Sequence, residues 1–424
     1  VEEIELAIKQ GRRYGDVEAK LTIEDEIDVS FENNKFKDVN LGTTVNLGIR
    51  VTNGLKHGYA QTSNLKNWRR CLINAVKLMK ASNPLAIKPV LNNNKAMPKS
   101  SLNKKIDGLG INELISLSEQ AIGSANNFKG VGVSNSIISK RTTNNYFSNS
   151  EGINANYKSN VVEFEIECTK DFAKGYDTRC SRELNINFSD VGLKTAELCF
   201  KSLNPIKIET RRVPVVLDYL AAENMIDTLA YNLLADSVIE NRSFFKGKEG
   251  QKVTSEMLTL TDEGQLTNGL FSRPFDEEGT KTGRTLLIDN GVLRGFVYDL
   301  YTAKRAGRKS TGNCSSLIKR PSVGFNNLIV KAGSASKEDI IDNSLFINQL
   351  LGTHMINYIS GDFSVSPNNA FLIKKGVWTP LKNIMISGNL FELFNNIESI
   401  GRDQRQDNQI MTPLIRFKDV QVIG

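Results

Sequence analysis

FDEEGTKTGRTLLIDNGVLRGFVYDLYTAKRAGRKSTGN, residues 275–313, sets an acidic run, a hairpin and a helix in close succession. Thr285 to Ile288 and Val292 to Tyr298 are two strand-like apolar runs. Asp289-Asn290-Gly291 lies between them, and Asn and Gly accept the positive φ that a tight reversal needs, so this is a β-hairpin. Tyr301 to Ala306 then reads as a short helix, and Ser310 to Asn313 as a loop. Upstream, Asp276, Glu277 and Glu278 form an acidic run before Gly279. The run lacks the ligand spacing of a calcium loop. It reads as a turn whose carboxylates bond its own backbone.

Outward from this block, the C-terminal half is mainly strands joined by turns. Val213 to Leu217 is an apolar strand. A helix is expected from Ala221 to Ile239, with Met225, Ile226, Leu229 and Leu233 on one face. Further short helices are expected at 337–342 and 390–397. The N-terminal half reads as helix, meander, helix, second meander. Ile4 to Tyr14 suits a short helix, followed by strands at Val17–Ile23, Ile27–Phe31 and Thr43–Val51. Asn33-Asn34 and Asn53-Gly54 are turn signals. Leu65, Trp68, Leu72, Val76 and Met79 recur at helical spacing, as do Ile111, Leu114, Ile115 and Ile122. Residues 91–105 are polar and read as a loop. Val162, Phe164, Ile166 and Cys168 alternate with Glu163, Glu165 and Glu167, a strand with one wet face. A last helix is expected from Ser189 to Phe200. The fold class is therefore α+β. Residues 1–205 form a domain of helices packed on an antiparallel or mixed sheet, and residues 206–424 a domain of mainly antiparallel strands with a few helices.

With 424 residues, the chain exceeds what one core usually serves, consistent with two domains. No apolar run reaches the roughly 18–20 residues of a membrane-spanning helix. The first residues mix Glu and Lys with apolar positions and do not read as a signal peptide. Five scattered cysteines show no zinc-knuckle or redox spacing and read as reduced, mostly buried thiols. A cytoplasmic location is expected. The net charge of +7 raises the question of nucleic acid. Lys and Arg are nevertheless spread along the chain with no dense basic run, so no nucleic-acid partner is expected.

Four blocks resemble the TldD/PmbA family. They are GIRVTNGLKHGYAQTSNL at 48–65, the 275–313 stretch, SGDFSVSPNNAFLIKKG at 360–376 and ISGNLFELFNNIESIGRD at 386–403. The resemblance implies the two-domain fold above. In the family's catalytic branch, the helix after the first strand of the C-terminal domain carries His-Glu-x-x-x-His. Both histidines bind zinc, the Glu acts as general base, and a Cys farther along is the third ligand. One helical turn places i and i+4 on one face, which suits a zinc pair.

Here the corresponding segment, DYLAAENMIDTLAYNLLADSV at 218–238, contains no His. Glu223 and Asp227 stand at i and i+4, but two carboxylates alone make a weak oxygen-type site. They read as a solvent-facing pair. The only histidines are His57, expected in an exposed hairpin, and His354, near where the catalytic branch has its Cys. No Cys stands between Leu351 and Asn357. No catalytic or metal residue is therefore assigned. His354, Asn357 and Asp362 are the candidates for peptide or partner contact. The resemblance places the chain on the metal-lacking TldE/PmbA branch. It implies a non-catalytic subunit of a TldD/TldE-type zinc metallopeptidase that cleaves unfolded peptides, with zinc only in the catalytic partner. The implied partner is a zinc-bearing TldD-type subunit in a heterodimer, or a second copy in a homodimer. Two alternatives stand beside it: an independent metallopeptidase with an unrecognised site, and a regulator associated with DNA and gyrase.

Overall fold

The computed structural model describes residues 1–93, 102–317 and 322–424. The expected loop at 91–105 lies partly outside these residues. The N-terminal sheet consists of β1 (Asp16–Glu32), β2 (Lys35–Asn53), β3 (Lys56–Thr62), β4 (Gly132–Asn149), β5 (Asn154–Lys170) and β6 (Ala173–Ser181). Its order is β3-β2-β1-β4-β5-β6, antiparallel throughout. The two strands expected at Val17–Ile23 and Ile27–Phe31 are one strand, β1, and its partner β2 is longer than expected. Glu24-Asp25-Glu26 interrupts the apolar alternation but not the strand. Arg141 of β4 pairs with Glu26 at 2.7 Å and Glu24 at 3.4 Å, and Asp25 accepts from Thr43 Oγ1 at 2.8 Å. Neighbouring strands thus compensate the charges that break the local pattern. At the β1–β2 turn Asn33 and Asn34 have φ of 52° and 63°, the positive values their residue types permit.

Helices cover one face of this sheet. Helices α1 (Glu2–Gly11) and α2 (Trp68–Ala81) close a core of Leu21, Leu47, Ile49 and Leu72 over β1–β3. After the short α3 (Lys104–Asp107), α4 (Ile111–Ala125) and α5 (Phe188–Lys201) cover Phe164 and Ile166 of β5. The two helices touch backbone to backbone at Gly192, where a Cβ would sit 2.0 Å from Ala121 O. Gly123 on α4 faces open space.

The C-terminal sheet has eleven strands. In chain order the elements are β7 (Arg211–Leu217), α6 (Tyr219–Ala230), α7 (Ala235–Ile239), β8 (Leu260–Glu263), β9 (Arg284–Asp289), β10 (Val292–Leu293) and α8 (Leu300–Ala306). The separate ribbon β11 (Cys314–Ser316) and β12 (Ser322–Val323) follows. Then come β13 (Asn327–Val330), α9 (Lys337–Ile341), β14 (Ser344–Leu351), β15 (Asp362–Lys374), β16 (Val377–Pro380), β17 (Met385–Asn389), α10 (Leu390–Asn395), β18 (Ile397–Gln406) and β19 (Ile410–Ile423). Strand β7 bonds β14 in parallel and β19 antiparallel, while β14-β15-β17-β19 are paired in sequence. Five strands therefore close a ring of backbone pairing. Inside, Val215 and Leu217 meet Met225 and Leu229 of α6 and Phe417 of β19. Each such buried side chain contributes about 1.5–3 kcal/mol. The hairpin read at Asp289-Asn290-Gly291 is β9–β10, with Asn290 at φ 45° and Gly291 at φ 78°.

The acidic run at 276–278 is not the self-contained turn expected. Asp276 does accept from the N–H groups of Glu278 and Thr280, both at 2.9 Å. Its neighbours, however, reach the other domain. Glu277 pairs with Lys20 of β1 and with Arg273 at 3.1 Å. Glu278 pairs at 2.8 Å with Arg50 of β2, which also pairs with Glu18 of β1 at 2.6 Å, all three fully buried. Phe275 packs beside this bridge against Tyr157, ring centroids 5.2 Å apart, and against Phe147 at 6.3 Å. A second tie runs from Arg405 of β18 to Asp177 of β6.

Two outcomes follow from this packing. Gly192→Ala should lower thermal stability by about 1–3 kcal/mol through overpacking, whereas Gly123→Ala should raise it by up to about 1 kcal/mol. Thermal melting of the two variants checks the contrast. Arg50→Met strands two buried carboxylates and should cost about 3–5 kcal/mol in denaturant unfolding.

Candidate functional site

The site begins where β7 ends. Asp218 caps α6: Oδ1 accepts from Tyr219 N at 2.9 Å and Oδ2 from Asn348 Nδ2 at 3.0 Å. The Asp218 N–H donates to Ile347 O of β14 at 2.8 Å, which fixes the start of α6 above two parallel strands. The continuous helix expected from Ala221 to Ile239 is broken. It ends at Ala230, passes through a 3-10 turn at Tyr231–Leu233 and resumes as α7. Buried Asn232 explains the break. Its Oδ1 accepts from Phe244 N at 2.7 Å, its Nδ2 donates to Tyr358 O at 3.1 Å, and its carbonyl accepts from Ser243 Oγ at 2.7 Å. These long-range bonds replace the helical ones.

The same Asn232 holds the loop at 352–361 against the end of α6, and the Tyr231 and Tyr358 rings lie 4.8 Å apart. Gly352 enters the loop at φ 82°, followed by a 3-10 turn at Thr353–Met355. Asn357 shapes the loop from within: its Oδ1 accepts from Ile359 N and Ser360 N, both at 3.0 Å. Asp362 accepts from Ser360 Oγ at 2.8 Å and Asn389 Nδ2 at 3.2 Å, and these bonds hold its carboxyl below the usual range. His354 and Met355 project to solvent. The structure thus gathers His354, Asn357 and Asp362 into one loop beside α6. It gives Asn357 and Asp362 loop-building bonds and leaves His354 on the rim.

The family resemblance of the sequence implies zinc ligands on this helix and this loop in the catalytic branch. The residues here do not fit the ion: α6 bears no His, and the loop bears no Cys. Among the described residues, the one grouping of three or more His, Cys, Asp or Glu donors close enough to share an ion is Glu278, Asp299 and Cys314, a different place. His57 lies in the other sheet, on β3. It is half-buried rather than exposed, its ring 6.5 Å from that of Tyr59.

Asp227 faces solvent as expected, but Glu223 is half-buried on the side of Asp407. Burial, reinforced by the Asp407 charge, pushes the Glu223 carboxyl up to about 7. Burial likewise pushes Asp407 up to about 7, against the opposing charge of Arg405. Nearby, a cleft of about 720 Å³ opens between the domains. Asp177, Asp218, Tyr219, Asn348, Trp378 and Arg405 are among its walls. Sequence reading missed Asp177, Arg405 and Asp407. Only a periodic or short-range pattern is visible along a chain, and Arg405 meets Asp177 across 228 positions.

A helix-covered meander is thus joined to a ring-closed β domain, with no His on α6 and no Cys in the 352–361 loop. Residues 210–424 match the family model of the PmbA/TldA metallopeptidase C-terminal domain, and residues 17–79 that of domain 1. The chain belongs to the PmbA/TldD family. An uncharacterized protein of Methanocaldococcus jannaschii is 28% identical, covering 98% of this chain and 99% of its own. A metalloprotease PmbA homolog of Haemophilus influenzae is 24% identical over 99% of this chain and 94% of its own. TldE from Thermococcus kodakarensis shares the fold at a TM-score of 0.92 and 23% identity, with all of both chains covered.

Glu223 supplies a pH test. Its folded-state carboxyl is raised from 4.5 to about 7, so the folded state holds that proton more tightly than the unfolded chain. Stability from this group is present below pH 4.5 and lost as pH rises towards 7. Glu223→Gln should therefore match the wild type near pH 4.5 and exceed it by up to about 3 kcal/mol at pH 8, less whatever solvent screens at this half-buried group. Urea unfolding at the two pH values checks this.

Proposed function

We propose that this chain is the non-catalytic subunit of a TldD/TldE-type zinc metallopeptidase that cleaves unfolded peptides. The observation that carries the reading is the pairing of an intact α6-and-loop framework with side chains unsuited to zinc. The family relatives named as metalloproteases support the reaction class, and the likeness to TldE supports the fold on which the role depends. Cleavage then belongs to a zinc-bearing subunit, and this chain contributes wall and strand edge to a shared peptide chamber.

Two features suit that contribution. The face of the N-terminal sheet away from the helices carries Glu24, Glu26, Arg141 and Glu163 in a half-exposed ion-pair network, a surface that stays wet. Strand β2 bonds β3 only from Leu47 to Asn53, so its residues 35–46 have a strand partner on one side only. An open edge can add an extended segment through main-chain hydrogen bonds, whatever its sequence. No helix among the described residues is long and apolar enough to cross a membrane.

The test is reconstitution. The isolated chain should show no turnover of an unfolded fluorogenic peptide, with or without added zinc. Co-expression with a zinc-bearing family member from the same source should give a complex of the two chains whose activity is at least tenfold above that of the partner alone. Turnover by the isolated chain, or failure to form the complex, sinks the proposal. His354→Ala in the complex should alter KM by a few-fold and leave kcat unchanged.

A further inference from the structure

The seam between the two domains holds more negative charge than its cations neutralise. In the patch around Arg50, among the described residues, Glu18, Asp276, Glu277, Glu278 and Asp299 meet Lys20, Arg50 and Arg273, five carboxylates to three cations. Isolated charge in such a place is costly unless protons or an ion balance it. At its centre, a carboxylate oxygen of Glu278, one of Asp299 and the Sγ of Cys314 all lie within 4.8 Å of one another, and all three residues are buried.

A second observation is independent of the cluster itself. Asp299 has no solvent exposure. Its Oδ1 caps α8, accepting from Thr302 N and Oγ1, both at 2.6 Å. Its Oδ2 is buried and has no hydrogen-bond partner among the described residues. A buried carboxylate oxygen left empty calls for a missing partner; Glu18 Oε1, Asp342 Oδ1 and Asp407 Oδ1 share that state, but among the described residues only Asp299 also belongs to a grouping of three possible ion ligands.

We propose that Glu278, Asp299 and Cys314 bind one divalent cation of the zinc class, which braces the C-terminal domain's side of the seam. The donor set selects the ion. A thiolate favours zinc or cobalt over magnesium or calcium, and the two carboxylates complete three protein ligands. Zinc with these ligands sets its donors roughly 3.3–3.8 Å apart, so the site closes by side-chain adjustments of about 1 Å or less. Outer contacts already aim the carboxylates. Arg50 holds Glu278 Oε1 at 2.8 Å and Leu300 N holds Oε2 at 3.0 Å, while each oxygen keeps a second lone pair. Cys314 is anchored through its N–H, which donates to Asp276 Oδ2 at 2.9 Å, and its thiol makes only a long contact to Ser316 O at 3.5 Å. Burial, with the Glu278 and Asp276 charges, pushes that thiol up, so it carries its proton until a cation displaces it. All three residues are buried, so the ion's role is structural. It joins the 276–279 turn, α8 and β11, and through Arg50 the strands β1 and β2.

The full-length chain, reduced and stripped with chelator, is titrated with cobalt, and the thiolate-to-cobalt charge-transfer absorption is followed. Zinc stoichiometry is read separately by mass spectrometry. One equivalent per chain is expected, with a raised melting temperature. Cys314→Ser should abolish the absorption band, and Cys180→Ser should retain it. Asp299→Asn keeps a good helix cap and removes the charge, so it should fold and bind cobalt at least tenfold more weakly. Absence of the band and of any zinc-dependent shift in melting in the wild type overturns the proposal. So does binding unchanged in both Cys314→Ser and Asp299→Asn. Peptidase activity is not the readout, so this result and the reconstitution result stand or fall separately.

Discussion

Arg50 is the constraint on which the two halves depend. It stands on β2, takes Glu18 from β1, and reaches into the C-terminal domain for Glu278. Burial opposes its charge, but the two carboxylates outweigh that cost and hold the guanidinium protonated. Neither domain satisfies these groups alone. The sheet would leave a buried cation beside one acid, and the 276–278 turn would leave buried acids without a cation. Such a bridge is poor evidence of net stability against a well-packed apolar seam, but it penalises every other docking of the domains. Phe275, wedged against Phe147 and Tyr157, sets the depth of that docking.

From this seam the geometry of the site follows. The closed ring of β7, β14, β15, β17 and β19 fixes where α6 starts. Asp218 and Asn348 then fix its first turn, and Asn232 fixes its end and presses the 352–361 loop against it. Helix, loop and ring are thus held by contacts that are independent of one another. They are stabilised by apolar burial and Asn-mediated bonds.

Most of the fold was legible along the chain. The hairpins at Asn33-Asn34, Asn53-Gly54 and Asn290-Gly291 carry their own backbone chemistry, and the helices from Trp68, Ile111 and Phe188 declare themselves by apolar spacing. The errors share one cause. β1 was split at Glu24-Asp25-Glu26 because its compensating charges lie on β2 and β4. The helix after Asp218 was read through Asn232 because the bonds that break it come from Phe244 and Tyr358. The acidic run was read as self-contained because Arg50 lies 228 positions from Glu278.

What the sequence determined by itself is the residue inventory: two histidines, none on the helix after β7, and no cysteine in the 351–357 segment. No tertiary arrangement can supply a histidine or a cysteine at those positions. Only the tertiary structure decided which charges are buried together. Gln or Glu, Asp or Asn look alike as polar positions along a strand or turn, and burial alone converts a few of them into costly, mutually dependent groups. Glu278, Asp299 and Cys314 became neighbours, and Glu223 came to face Asp407, because the two sheets meet where Arg50 allows them to.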